Sequence, residues 1–147
     1  MPELKCRSLI EKLISFDTTS RNPNLELISF VARYLEDLGL TPMLVHNDEQ
    51  TKANLYATIG PDDMPGIMLS GHTDVVPVDG QAWDSDPWTV VERDGKLFGR
   101  GTCDMKGFIA ICLAYAPIFL ERGLKTPIHL AFSYDEEIGC IGVQTLI

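Results

Sequence analysis

The chain has few basic residues and no long apolar stretch. Lys and Arg number 12 against 21 Asp and Glu, a formal net charge of −9 at pH 7. Such a surface repels phosphate backbones and anionic lipid headgroups, which speaks against nucleic acid or a membrane as partner. The longest uncharged apolar run, Phe108 to Leu120, falls short of the roughly 20 residues that a bilayer-spanning helix needs. It reads as a buried helix instead. The N-terminal MPELKCRSLIEKL scatters charges where a secretory signal would carry an apolar core. Cysteine is sparse, with 4 in all, and Cys6, Cys103, Cys112 and Cys140 form no CxxC pair. That spacing excludes a zinc ribbon. The four are expected to be reduced thiols of a cytoplasmic protein, serving packing, with Cys103 set apart by its place beside Asp104. Phosphate cradles of the GxxxxGK or GxGxxG type are missing, and so is the GxSxG nucleophile elbow.

What is present suits one soluble domain. The 147 residues suffice for a proper core, and 45% hydrophobic with 22% charged residues is an ordinary globular balance. Leu4, Leu9, Ile10, Leu13 and Ile14 recur near helical spacing and predict a helix over 3–15. After the loop DTTSRNPN, a second helix is predicted over 25–38, with Gly39 as its stop. PMLVHN, NLYATIG, GIMLSG and IHLAFSY read as strands. WTVVERDGKLFGR reads as a hairpin, because Asp94-Gly95 is a type I′ turn signal. A helix is expected to start at Asp104 and run toward Gly123, kinked or shortened at Pro117. IGVQTLI looks like the opening of a further helix. This order predicts an α/β fold, a mixed sheet with helices on both faces, and no linker divides it.

One histidine and several carboxylates fall at the ends of these elements. His72 and Asp74 in SGHTDVVP follow the strand GIMLSG, at the end where open α/β sheets place ligands. A carboxylate two residues on is able to hold the imidazole tautomer; a turn or cap is the plainer alternative. Asp104 in GRGTCDMKG stands at a predicted helix start, where Asp is a favoured N-cap, yet its two oxygens also suit a bridge between metal ions. Asp135, Glu136 and Glu137 in SYDEEIG follow the strand IHLAFSY. Three adjacent acids repel unless something positive compensates; they are either an exposed acidic loop or part of a metal site. Imidazole and carboxylate are ligands for Zn²⁺ and related ions, and a doubled Glu allows one residue to hold metal while the other moves protons. His46 and His129, within strands, are read as structural.

Taken together, SGHTDVVP, GRGTCDMKG and SYDEEIG, in this order and spacing, resemble the M20 family of zinc metallopeptidases and deacylases. The likeness runs from FDTTSRN to the last residues. DTTSRNPNLELI, DGKLFGRG and TCDMKGFIA are most similar to the acetylornithine deacetylase branch, rather than to succinyl-diaminopimelate desuccinylases or carboxypeptidases. The resemblance implies a hydrolase with two Zn²⁺ ions per active site, Co²⁺ being an alternative. It implies that His72 binds one metal, that Asp104 bridges both with a cis peptide to Met105, and that Glu137 binds the other. Glu136 would be the general acid/base, and Asp74 would orient His72. The implied reaction on a small-molecule substrate releases acetate from N-acetyl-ornithine, in arginine biosynthesis. Another deacylase or peptidase activity, or an inactive fragment, is the alternative. Family members carry a further acidic ligand, a histidine ligand and an inserted lid domain, none of which lies within 1–147. Residues 1–147 are therefore expected to be the N-terminal part of the catalytic domain, inactive alone, within a cytoplasmic homodimer.

Overall fold

Apolar residues at helical spacing draw three helices onto one side of a single sheet. In the computed structural model, which describes residues 2–147 with side chains from residue 5 on, α1 spans Pro2–Ile14 and α2 spans Leu25–Glu36. Leu9, Leu13 and Ile14 from α1 are buried with Leu27, Ile28, Val31 and Leu35 from α2, a stripe of the width expected for a core-facing helix. Gly39 ends α2 as expected: at φ +83° it lets the Leu40 N–H turn back to the Leu35 carbonyl at 3.1 Å.

Four strands form the main sheet: β1 (Met43–His46), β2 (Ala53–Ile59), β3 (Ile67–His72) and β6 (Ile128–Ser133), in the order β1-β2-β6-β3. β1 with β2, and β2 with β6, run antiparallel; β3 with β6 runs parallel. The expected mixed sheet is thus present. Its register puts Leu55 opposite Phe132 and Ala57 opposite Leu130, and these join residues of all three α-helices in one apolar cluster. On the other face Tyr56 stacks on His129 at 5.6 Å, and His129 Nδ1 meets the hydroxyls of Tyr56 and Thr58 at 2.8 and 3.0 Å. Helical structure lies on both faces, but unequally. The second face carries a single 3₁₀ turn, Gly142–Thr145, whose Gly142 carbonyl accepts from Asn54 at 2.8 Å. IGVQTLI opens as that short turn rather than as an α-helix.

β4 (Val91–Arg93) and β5 (Lys96–Phe98) form a separate ribbon. Asp94 and Gly95 have φ +50° and +69°, the two positive angles of a type I′ turn. α3 spans Lys106–Glu121 and passes Pro117 without being shortened. Burial of Ile109, Ala110, Leu113 and Ala116 holds it through the missing N–H. The helix is buried on one side only, since Ile111 and Tyr115 remain exposed. No helix among the described residues is long and apolar enough to cross a membrane.

Candidate metal centre

Because β3 and β6 are parallel neighbours, their C-terminal ends emerge side by side, with His72 paired to Ser133. The segment after β6 therefore begins beside His72, and Glu136 and Glu137 follow within a few residues. The third contributor is the turn 99–105, between β5 and α3. There Gly107 packs so closely that a methyl group would lie 2.1 Å from the Thr102 carbonyl oxygen. Asp104 does not cap α3: the cap position is Met105, without a side-chain hydrogen bond. The Asp104–Met105 peptide is cis.

His72, Asp104 and Glu137 offer one ligand atom each, all within 4.8 Å of one another. The imidazole is buried, whereas the Asp104 side chain is 72% exposed and opens the group to solvent. His72 donates from Nε2 to Asp104 Oδ1 at 3.0 Å and from Nδ1 to the Asp74 main-chain carbonyl at 2.9 Å. Asp74 thus contacts the ring first through its carbonyl, with carboxylate Oδ1 at 3.5 Å. Glu136 Oε2 lies 3.6 Å from His72 Nε2. A cleft of about 290 Å³ is bounded by Gly71, His72, Met105, Glu136 and Cys140. Two larger clefts, of about 420 and 380 Å³, border α2 and contain none of these groups; chemistry rather than volume marks the site.

Asp74 organises the base of the centre. Its buried carboxylate accepts the Ser20 hydroxyl at 2.6 Å and the backbone N–H groups of Glu136 and Glu137 at 3.0 and 3.2 Å. Burial alone would raise its pKa, but His72, the Ser20 hydroxyl and the two amides hold it at about 2. Burial would likewise depress His72, yet the Asp74 contacts and Asp104 lift it to about 9. Glu137 is pushed up by burial and then by the charge of Asp104.

Of the three adjacent acids, Asp135 is compensated by Lys52, whose Nζ lies 2.6 and 2.8 Å from its two carboxylate oxygens, while Glu136 faces His72. A second cation, Lys106, is wholly buried and donates to the Phe16 carbonyl at 2.7 Å. Desolvation drops its pKa to about 7 against the pull of Asp17 and Asp74. No role for Ser20, Lys52 or Lys106 was read from the sequence, although Ser20 lies in FDTTSRN and Lys106 in GRGTCDMKG; nothing local marks Lys52. His46 and His129 stay outside the centre. Of the cysteines only Cys112 is buried; Cys103 and Cys140 are exposed, so packing does not explain those two. Cys140 instead reaches Glu136, Sγ to Oε1, at 3.7 Å.

Residues 68–147 match the model of peptidase family M20/M25/M40. The chain belongs to that family. Over 135 residues it is 38% identical to an acetylornithine deacetylase from Pasteurella multocida, covering 90% of this chain and 35% of the relative. A Myxococcus xanthus protein of the same name is 36% identical over 146 residues, 96% of this chain and 37% of that one. Among solved structures, human carnosine dipeptidase 1 superposes with a TM-score of 0.80 at 27% identity, over 99% of this chain and 35% of its own. An M20 metallo-carboxypeptidase from Sulfolobus solfataricus gives 0.84 at 21% identity, over 97% and 33%, a likeness of fold. The chain spans about a third of the length of the curated relatives it matches.

Proposed function

We propose that the complete protein is a divalent-metal-dependent amide hydrolase that removes the acetyl group from N-acetyl-ornithine in the cytoplasm, and that residues 1–147 supply the N-terminal part of its catalytic domain. The convergence of His72, Asp104 and Glu137 within 4.8 Å, beside Glu136, carries this reading. The donor set fits a metal. One imidazole nitrogen with carboxylates is the ligand mix of open, catalytic zinc sites, and the nearby cations Lys52 and Lys106 are engaged by Asp135 and Phe16. His72 would hold one ion and Glu137 the other, with Asp104 shared between them; Zn²⁺ fits, and Co²⁺ is a substitute. A pair of such ions supplies Lewis acidity that polarises an acyl carbonyl and acidifies water.

The remaining work falls to the protein's own groups. Glu136, on the cleft wall, takes a proton from the attacking water as its oxygen bonds to the acetyl carbon. It returns that proton to the ornithine nitrogen as the C–N bond breaks, releasing acetate and the free amine. Asp74 fixes the His72 ring and, through its bonds to two amides, the backbone of both glutamates. The choice of acetyl-ornithine rests on relatives of that name at 36–38% identity.

Activity of the complete protein on N-acetyl-ornithine, N-succinyl-diaminopimelate and a dipeptide tests the substrate. Turnover confined to either of the last two rejects it. Roles are tested by elemental analysis beside kcat. Glu137→Ala is expected to lose metal and activity together. Glu136→Ala is expected to keep metal and lose turnover by about 10²–10⁴-fold. Unchanged kcat in both variants rejects the assignment.

A further inference from the structure

The segment that delivers Glu136 and Glu137 is anchored from outside the centre. Asp135 turns the chain there with φ +54°, a left-handed conformation that a residue other than glycine seldom adopts without support. Lys52 holds both of its carboxylate oxygens, at 2.6 and 2.8 Å, with side chains only 13% and 12% exposed. The same ammonium donates to the Ser20 carbonyl, and the Ser20 hydroxyl donates to Asp74. Asp74 in turn accepts the amides of Glu136 and Glu137. One cation thus joins the entry to β2, the loop after α1 and the turn after β6.

We propose that Lys52 is a positioning residue: by pinning Asp135 and Ser20 it sets where Glu136 and Glu137 stand relative to His72 and Asp104. It touches none of the candidate ligands and acts through the turn that bears them. The functional consequence rests on the metal-centre reading above; the positioning itself does not. In a contact this buried, removing one partner leaves the other charge uncompensated, and the turn loses both its fixed end and its tie to Ser20.

Two measurements on the complete protein separate these layers. The first is amide hydrogen exchange without metal. Lys52→Met is expected to accelerate exchange at Glu136 and Glu137 by about tenfold or more, with Leu130 and Phe132 in β6 unchanged. The second is titration with Co²⁺ alone, followed by its visible absorption. Affinity is expected to fall by about 10–100-fold, the range for residues that orient ligands, with an altered spectrum. Lys52→Arg is expected to restore both. Asp135→Asn removes the charge while keeping a residue that tolerates the left-handed backbone. It gives the same two changes if Lys52→Met fails to fold. Exchange unchanged at Glu136 and Glu137, or accelerated equally throughout β6, overturns the proposal whatever the metal does. If the unsubstituted protein binds no Co²⁺ while exchange still accelerates locally, Lys52 keeps its positioning role and the metal reading fails.

Discussion

His72 answers to two opposed demands. Its contacts with Asp74 and Asp104 favour the imidazolium and raise its pKa from 6.5 to about 9, while a metal requires the neutral ring. Because the folded value is the higher one, the metal-free chain gains stability from this proton below about pH 6.5 and loses it as the pH rises through about 9. Asp74 behaves in the opposite sense: lowered from 3.8 to about 2, its contribution is complete above 3.8 and vanishes as the pH falls through about 2. Ion binding at neutral pH must therefore expel the His72 proton. Apparent Zn²⁺ affinity is expected to rise about tenfold per pH unit up to about pH 9. Calorimetry in buffers of different ionisation enthalpy should record one proton released at this site, lost in His72→Asn. Absence of proton release in the unsubstituted chain would reject the linkage. The cysteines provide a simpler residue-scale test. Burial pushes the Cys112 thiol up to about 11, whereas Cys103 and Cys140 are exposed. Thiol reagents are expected to label the exposed pair in the native protein and to reach Cys112 only on unfolding.

At the scale of elements, the junction between the turn 99–105 and α3 decides where Asp104 stands. Gly107 allows helix backbone to lie against Thr102, where an added methyl would meet the carbonyl oxygen at 2.1 Å. Gly95 has nothing within 4 Å, but its φ of +69° is costly for a residue such as Ala. Gly95→Ala is expected to cost about 1 kcal/mol, the strain of one left-handed residue, and to leave metal binding alone. Gly107→Ala is expected to cost about 3 kcal/mol, an overpacking effect, and to weaken metal binding by moving Asp104. Urea denaturation with parallel Co²⁺ titration checks both; equal effects of the two substitutions would contradict this account. Elements of this kind were legible in the sequence wherever a local pattern existed. The apolar strand runs, the Asp94-Gly95 turn and the Gly39 stop follow from local composition and backbone preference alone. Asp104 as a helix cap did not survive, because its carboxylate faces His72, and capping preference cannot weigh a partner 32 residues away. Lys52 was invisible for the same reason: its pairing with Asp135 spans 83 residues and leaves no periodic trace. The uneven sheet faces also depend on tertiary packing, since both faces of β2 carry residues compatible with a strand.

For the molecule as a whole, the centre is a place where segments distant in sequence converge at the edge of the sheet. His72 ends a strand, Asp104 leaves a turn, and Glu137 follows the next strand of the sheet; all three offer ligand atoms within 4.8 Å. Without metal, Asp104 and Glu137 repel each other, and Asp104 is one cause of the raised Glu137 pKa. The chain's net charge of −9 adds a weaker background of the same sign. A divalent ion that binds the folded arrangement and not the unfolded chain reverses this locally and stabilises the fold by mass action. The gain is about 2.7 kcal/mol at a hundredfold excess over Kd. In the complete protein that appears as a rise in Tm, growing with the logarithm of metal concentration and reversed by chelator. Monovalent salt screens the repulsion without satisfying the ligands, so it should raise the metal-free Tm only slightly. Asp104→Asn separates the two effects. With one acid gone, relief of the repulsion toward Glu137 and loss of the His72 contact oppose each other in the metal-free Tm, while the increment on adding Zn²⁺ is expected to shrink. Thermal scans of the chelator-treated chain with and without Zn²⁺, for both sequences, provide the measurement. A Tm indifferent to metal in the unsubstituted chain, or an undiminished increment in Asp104→Asn, would show that the three segments meet for some reason other than holding an ion.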